Sequence, residues 1–263
     1  MQDLRCDEGA AVAESILDLL NAHRGIVCAV GAGGKKTTLY RLAAVHPGKV
    51  GITTTVFMAP FPGALQAARV IAPQAELPTA VIASARENRQ VLFACPSEKT
   101  GRLGGLSVDA VQPLHESAGF DLTLVKADGA RMRQIKAPTA QEPNIPCGTG
   151  VVLFLVSAGV IGQPLDEAVA HRVDRLEFVT GAHRGEPIEP RHVARLLTSA
   201  AGARQNVEHA QLIPVINQVD TPERRRQARA VAEQALVEGE FLNRIVLTSM
   251  HKTNPIVDVI RRA

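Results

Sequence analysis

The chain has no tryptophan, one tyrosine and seven phenylalanines, so aromatic residues make up only 3% of it. That scarcity argues against an aromatic platform for stacking single-stranded nucleic acid. Cysteine is sparse too: Cys6, Cys28, Cys95 and Cys147 stand far apart and form no CxxC pair. Neither a zinc knuckle nor a disulfide scaffold fits that spacing, and a reducing cytoplasm is the expected setting. An excess of one charge is also missing. Lys plus Arg total 29 and Asp plus Glu 26, a net of +3, short of the concentrated positive field of a nucleic-acid domain. The longest apolar run, residues 151–156, soon meets Ser157, Gly159 and Gln163, well below the ~18 residues of a membrane-spanning helix. The opening residues carry Asp3, Asp7 and Glu8 and do not read as a secretory signal. Neither nucleic acid nor a membrane is therefore an expected partner.

What is present is apolar residue in quantity: 46% of 263 residues, enough to bury an ample core and to exclude intrinsic disorder. Short apolar runs alternate with amphipathic stretches. Helices are expected over residues 9–23, 37–45, 108–117, 165–179, 190–200 and 222–237. Strands are expected over 25–30, 49–54, 122–127, 150–156, 212–219 and 245–249, with two more near Val70 and Val91. This alternation predicts an α/β fold, doubly wound, with a mostly parallel sheet covered by helices on both faces. No repeat or composition break interrupts it. The expected organisation is one domain over residues 1–263, in which 129–150 is a long functional loop.

The first strand runs into Gly31-Ala32-Gly33-Gly34-Lys35-Lys36-Thr37-Thr38, followed by a helix. Strand, glycine turn, Lys and Thr, then helix is a phosphate cradle. Glycines let backbone N–H groups converge on an anion, the helix terminus adds positive potential, and a Thr hydroxyl can hold Mg²⁺. Two residues separate Gly31 from Gly34, so the loop is shorter than GxxxxGK[ST]. It is similar to the GxxGK[ST] loop of Mur-type ligases, except that Lys36 stands where Ser or Thr follows the lysine. Two registers are open: Lys35 serves the phosphates with Thr37 or Thr38 on the metal, or Lys36 and Thr37 form the working pair. A dinucleotide fingerprint, GxGxxG, would need glycine at 36.

The apolar strand 122–127 closes on Asp128, the layout of a carboxylate that meets a nucleotide-bound metal. Thr53, Thr54 and Thr55 end another strand and either line the same edge or simply pack as β-branched residues. Asn217-Gln218-Val219-Asp220, at the end of a further strand, resembles the NKxD guanine-reading motif. The alternative is a turn whose Asp220 or Thr221 caps the helix opening at Pro222. GTP and ATP both remain candidates. After Asp128 come Arg131, Arg133 and Lys136, cations that suit an anionic substrate or a γ-phosphate, or a solvated basic loop.

Residues 126–146, KADGARMRQIKAPTAQEPNIP, resemble the ADGAR…KAP…HEP.IP block of the selenium-dependent molybdenum hydroxylase accessory proteins, the YqeC family. The loop VGAGGKKTT, the strand ITTT, AHRVDRLEFVTG at 170–181 and GEPIEPRHVARLL agree, in the same order, over most of residues 25–250. Lys36, Lys126 and Gln218 are departures: the family carries Thr or Ser at the first, often Glu at the second, and NKxD has Lys at the third. His171 and Arg172 lie in a family block and join Arg133 and Lys136 as candidate substrate contacts. The resemblance implies a nucleotide-binding accessory or maturation factor acting on a molybdenum hydroxylase or its cofactor. As an enzyme it would be a slow Mg²⁺-dependent NTPase, or a nucleotidyl or phosphoryl transferase. Lys35, Asp128 and Arg131 would then carry the chemistry. The alternative is a carrier of molybdenum cofactor that binds nucleotide without turnover. An accessible Cys147 is a further candidate, for sulfur or selenium chemistry.

Overall fold

The computed structural model describes residues 14–262. The first elements are α1 (Ile16–Leu19), β1 (Gly25–Gly31), α2 (Lys35–Val45), β2 (Val50–Thr54), β3 (Ala68–Ile71) and α3 (Leu77–Glu87). Then come β4 (Gln90–Ala94), α4 (Val108–Ala118), β5 (Leu122–Lys126), β6 (Ile135–Lys136), β7 (Thr149–Ser157) and β8 (Ala170–His171). The chain closes with α5 (Val173–Thr180), α6 (Pro190–Thr198), β9 (Gln211–Asn217), α7 (Pro222–Glu238), β10 (Arg244–Thr248) and β11 (Ile256–Arg261). A nine-stranded sheet runs β11-β10-β9-β7-β1-β5-β2-β4-β3, and β6 and β8 form a small separate pair. Every pairing in the large sheet is parallel except β10 with β11.

Burial explains why the strands read as unbroken apolar runs. In β1, Ile26, Cys28 and Val30 enter one core cluster while Val27 and Ala29 enter another. Both faces of the sheet are therefore covered. The apolar stripes of α3, α4, α6 and α7 pack in the first cluster, and Leu39 and Leu42 of α2 in the second. The result is an α/β architecture around a large, mostly parallel sheet, as the alternation of elements indicates.

Several expected boundaries shift. The helix expected over 9–23 falls partly outside the described residues, which show only α1. The helix expected from Leu165 begins at Val173, because Arg172 takes a left-handed φ of 66° and Ala170–His171 pair with β6. His171 and Arg175 therefore do not share a helix face. Stretch 129–150 is not wholly loop, since it contains β6. Helix α3, with a proline in its first turn and Leu77, Val81 and Ala85 buried, lies where no helix was expected. Strand β11, a half-buried edge strand, was likewise unforeseen.

The topology locates the site. β1 lies between β5 and β7; the chain leaves β1 toward the β2 side and, after β5, crosses to β7 on the other. Ligands of open parallel sheets sit outside the carboxyl ends of strands at such a reversal.

Candidate functional site

The β1–α2 turn is shaped by glycines that no other residue can replace. Gly31 has φ 81°, and a Cβ there would lie 2.3 Å from the Leu155 carbonyl oxygen. Gly34 has φ 123°, and a Cβ there would lie 2.2 Å from Asn217 Nδ2. The Gly31 N–H donates to Asp128 Oδ2 at 2.9 Å, the Ala32 N–H to the Leu155 carbonyl at 2.8 Å, and the Thr38 N–H to the Gly34 carbonyl at 2.9 Å. Between these anchors the N–H groups of residues 33–37 have no acceptor among the described residues. They lie in the turn and at the N-terminus of α2, where orphan donors and the helix dipole favour an anion.

Behind the turn runs a chain of alternating charge. Lys35, 6% exposed, donates to the Gly31 carbonyl and lies 2.8 Å from Asp128 Oδ1, an ion contact outside hydrogen-bond direction. Asp128 Oδ2 accepts from Lys136 Nζ at 2.9 Å. The buried Lys136 also reaches Glu142 at 2.8 Å, and Glu142 pairs with Arg172. Burial opposes the Glu142 charge, but Arg172 and Lys136 hold its carboxyl at about 2. Burial pushes the Lys35 ammonium below the ordinary lysine range, against the pull of Asp128. Lys126, buried and beside Lys35, is pushed down to about 7; its Nζ donates to the Phe57 carbonyl at 3.2 Å.

In front of the turn opens a crevice of about 630 Å³. Gly33, Gly34, Lys35, Lys36 and Thr37 line one side; Lys126, Arg102, Arg131 and Arg133 add cations, and among the described residues no carboxylate lines it. Lys36 and Thr37 thus face the crevice, whereas Thr38 is fully buried and its hydroxyl donates to the Gly34 carbonyl at 3.1 Å. Phe57, Met58 and Met132 give the crevice an apolar wall, and Phe57 and Met132 are exposed at 51% and 88%.

The other predicted residues divide. Asn217, buried, donates through Nδ2 to the Gly33 carbonyl at 2.9 Å and accepts through Oδ1 from the Thr248 hydroxyl and the Met250 N–H. It ties the glycine turn to β10. Asp220 accepts from the Ser249 hydroxyl at 2.5 Å and pairs with Arg224 at 3.3 Å. Neither lines the crevice; Gln218, between them, does. Thr54 donates to the Lys126 carbonyl and fastens β2 to β5, while Thr55 donates to the Asn144 carbonyl and ties the end of β2 to the loop before β7. Arg131 and Arg133 line the crevice and also a neighbouring hollow, together with His171 and Arg172. Lys136 faces no solvent and serves the carboxylates. Exposed Cys147 lines a separate hollow with Asn206 and His209.

Sequence reasoning did not single out Arg102, Phe57, Met132 or Glu142 as site residues. Met132 and Glu142 lie in the block 126–146, and of the two Glu142 carried the signal, as a residue that matches the family's pattern there. The fold and the site together define a class: a parallel α/β protein with a cation-lined crevice beside a glycine turn at the strands' carboxyl edge. The chain belongs to the YqeC family, whose model, described as "YqeC protein", matches residues 27–174. It is similar to the "Uncharacterized protein YqeC" of Escherichia coli (strain K12), 28% identical over 187 residues that cover 69% of this chain and 71% of that protein. The family match spans the glycine turn, Asp128, Lys136, Glu142, His171 and Arg172, and ends before Asn217.

Proposed function

We propose that the crevice binds the polyphosphate of a nucleotide, GTP or ATP, in a shortened P-loop-like cradle. The observation that carries this reading is the run of N–H groups at residues 33–37 without an acceptor among the described residues, opening on a crevice that those residues line with cations and no carboxylate. Free amides at a helix start and lysines beside them recognise phosphate oxygens whatever the base. Lys35, drawn from Gly31, and Lys36 at the crevice wall neutralise the phosphates. Arg131 and Arg133 stand opposite, where a terminal phosphate would project. The apolar wall of Phe57, Met58 and Met132 suits the face of a planar ring.

Magnesium prefers hard anionic oxygens, and the residues present do not fit a resident ion. Asp128 is shared by Lys35 and Lys136, the Thr38 hydroxyl is spent on Gly34, and Lys36 stands where Ser or Thr follows the loop lysine. Among the described residues no cluster of His, Cys, Asp or Glu suits a metal. Protein ammonium groups supply the neutralising charge instead, and Thr37 is the one hydroxyl of the pair that faces the crevice.

The family resemblance carries the wider role, an accessory factor in maturing selenium-dependent molybdenum hydroxylases. Phosphoryl or nucleotidyl transfer would rest on positioning and charge neutralisation. A binding role without turnover, as a cofactor carrier, is favoured by one observation: Asp128, the carboxylate nearest the turn, is already ion-paired twice and is no free base. Isothermal titration of GTP and ATP in EDTA tests the binding, and phosphate release separates the two roles. Lys35→Ala should weaken binding at least about tenfold; unchanged affinity in that variant would remove the proposal.

A further inference from the structure

The segment that walls the crevice has a second side. Beyond Gly129, Arg131 and Arg133 lies a hollow of about 510 Å³, lined also by His171 and Arg172 from β8 and the start of α5. Its acids are already matched: Glu142 pairs with Arg172 and Lys136, while Glu167 and Asp174 both pair with Arg184. Arg131 and Arg133 have no carboxylate partner among the described residues, so the uncommitted charge here is positive. The left-handed Arg172 starts α5 abruptly, and the N–H groups of Val173 and Asp174 have no acceptor among the described residues. Burial, then Arg172, Lys136 and Arg131, push His171 down to about 4, so its imidazole is neutral at pH 7 and offers one N–H donor.

We propose that this hollow is a second anion-binding site, built by Arg131, Arg133, His171 and Arg172, for a small phosphorylated substrate that lies across the Gly129–Arg133 segment from the nucleotide crevice. Arginine side chains meet phosphate oxygens in paired, planar hydrogen bonds, and these come from a loop and from the start of a helix. Gly129, Arg131 and Arg133 of the segment line both cavities, so a phosphate in the hollow and a polyphosphate in the crevice would lie against the same arginines. That juxtaposition is what a protein handling two anionic partners needs. His171 and Arg172 line the hollow and not the crevice, so the hollow keeps ligands of its own and the proposal does not stand or fall with nucleotide binding.

Proton NMR of the His171 ring, assigned by its loss in His171→Asn, reads the site directly. Titration of the full chain with inorganic phosphate should shift that resonance and raise the pH at which it titrates, because an anion favours the imidazolium. The shift should persist in Lys35→Ala; in protein saturated with a nonhydrolysable GTP analogue, which would share Arg131 and Arg133, it should weaken without being abolished. The pair Arg131→Gln/Arg133→Gln, at one exposed and one half-buried position, breaks no ion pair among the described residues and should weaken the phosphate response at least about tenfold. Arg133→Lys should restore part of it to Arg133→Gln. No phosphate-dependent shift overturns the proposal. A shift abolished by Lys35→Ala or by the analogue places the anion at the glycine turn instead, and a shift untouched in the double variant assigns it to other residues; either result overturns it.

Discussion

Two strand ends carry residues of nucleotide-binding type, the turn after β1 and the turn after β9, and their polar groups meet opposite fates. After β1, the backbone donors of residues 33–37 have no acceptor among the described residues and open on a crevice that Lys36, Arg131 and Arg133 also line. After β9, Asn217 spends both ends of its amide on Gly33, Thr248 and Met250, and Asp220 is held by Ser249 and Arg224. The second turn therefore braces the first. Residue type names a possible chemistry, and whether the polar groups are already satisfied inside the fold decides which turn is free to bind.

The largest effect should come from the charge behind the first turn. Asp128→Ala leaves Lys35 and Lys136 buried without their shared carboxylate and should cost about 3–5 kcal/mol in urea unfolding. A loss below about 1 kcal/mol would mean that water reaches the pair. Next comes the brace. Asn217→Ala strands the Gly33 carbonyl and the Met250 N–H and should cost about 1–3 kcal/mol, weakening GTP and ATP alike. Were their affinity ratio to collapse instead, Asn217 would be reading the base and the contrast between the turns would fail.

Protonation sharpens the comparison further. Lys126, at about 7, lies below the ordinary lysine value of 10.5, so between those values the unfolded chain binds more protons than the folded one. Its contribution is an unfavourable one, fully present below about 7 and relieved as pH rises toward 10.5, so stability should gain over that window. Polyphosphate affinity should move the other way, falling as pH passes about 7 and the ammonium is lost. Lys126→Met should flatten both profiles, and titration in buffers of different ionisation heat should show proton uptake on binding in the parent only. The smallest effect belongs to Asp220→Ala, a surface pairing worth about 0–1 kcal/mol with no change in base preference.

Much of this was legible in one dimension. Two-sided burial makes β1, β5, β7 and β9 contiguous apolar runs, and the glycine turn announces itself because its backbone tolerates no side chain. Helix α3 was hidden because its Val81 and Ile82 suit a strand as well. The helix expected from Leu165 was drawn too long because apolar spacing continues past Arg172, whose left-handed backbone leaves no trace in composition. The chain from Lys35 through Asp128, Lys136 and Glu142 to Arg172 joins residues far apart in sequence, and spacing alone cannot pair them. Lys35 and Lys36 both line the crevice and Lys35 also reaches Asp128, so position alone does not choose between the two registers.

Backbone amide NMR with GTP or ATP titrated in EDTA tests the central claim most directly. Residues 33–37 should show the largest amide shifts, with Asn217 and Asp220 moving little. Triphosphate that leaves those amides unmoved, or that shifts residues 217–220 most, would contradict it.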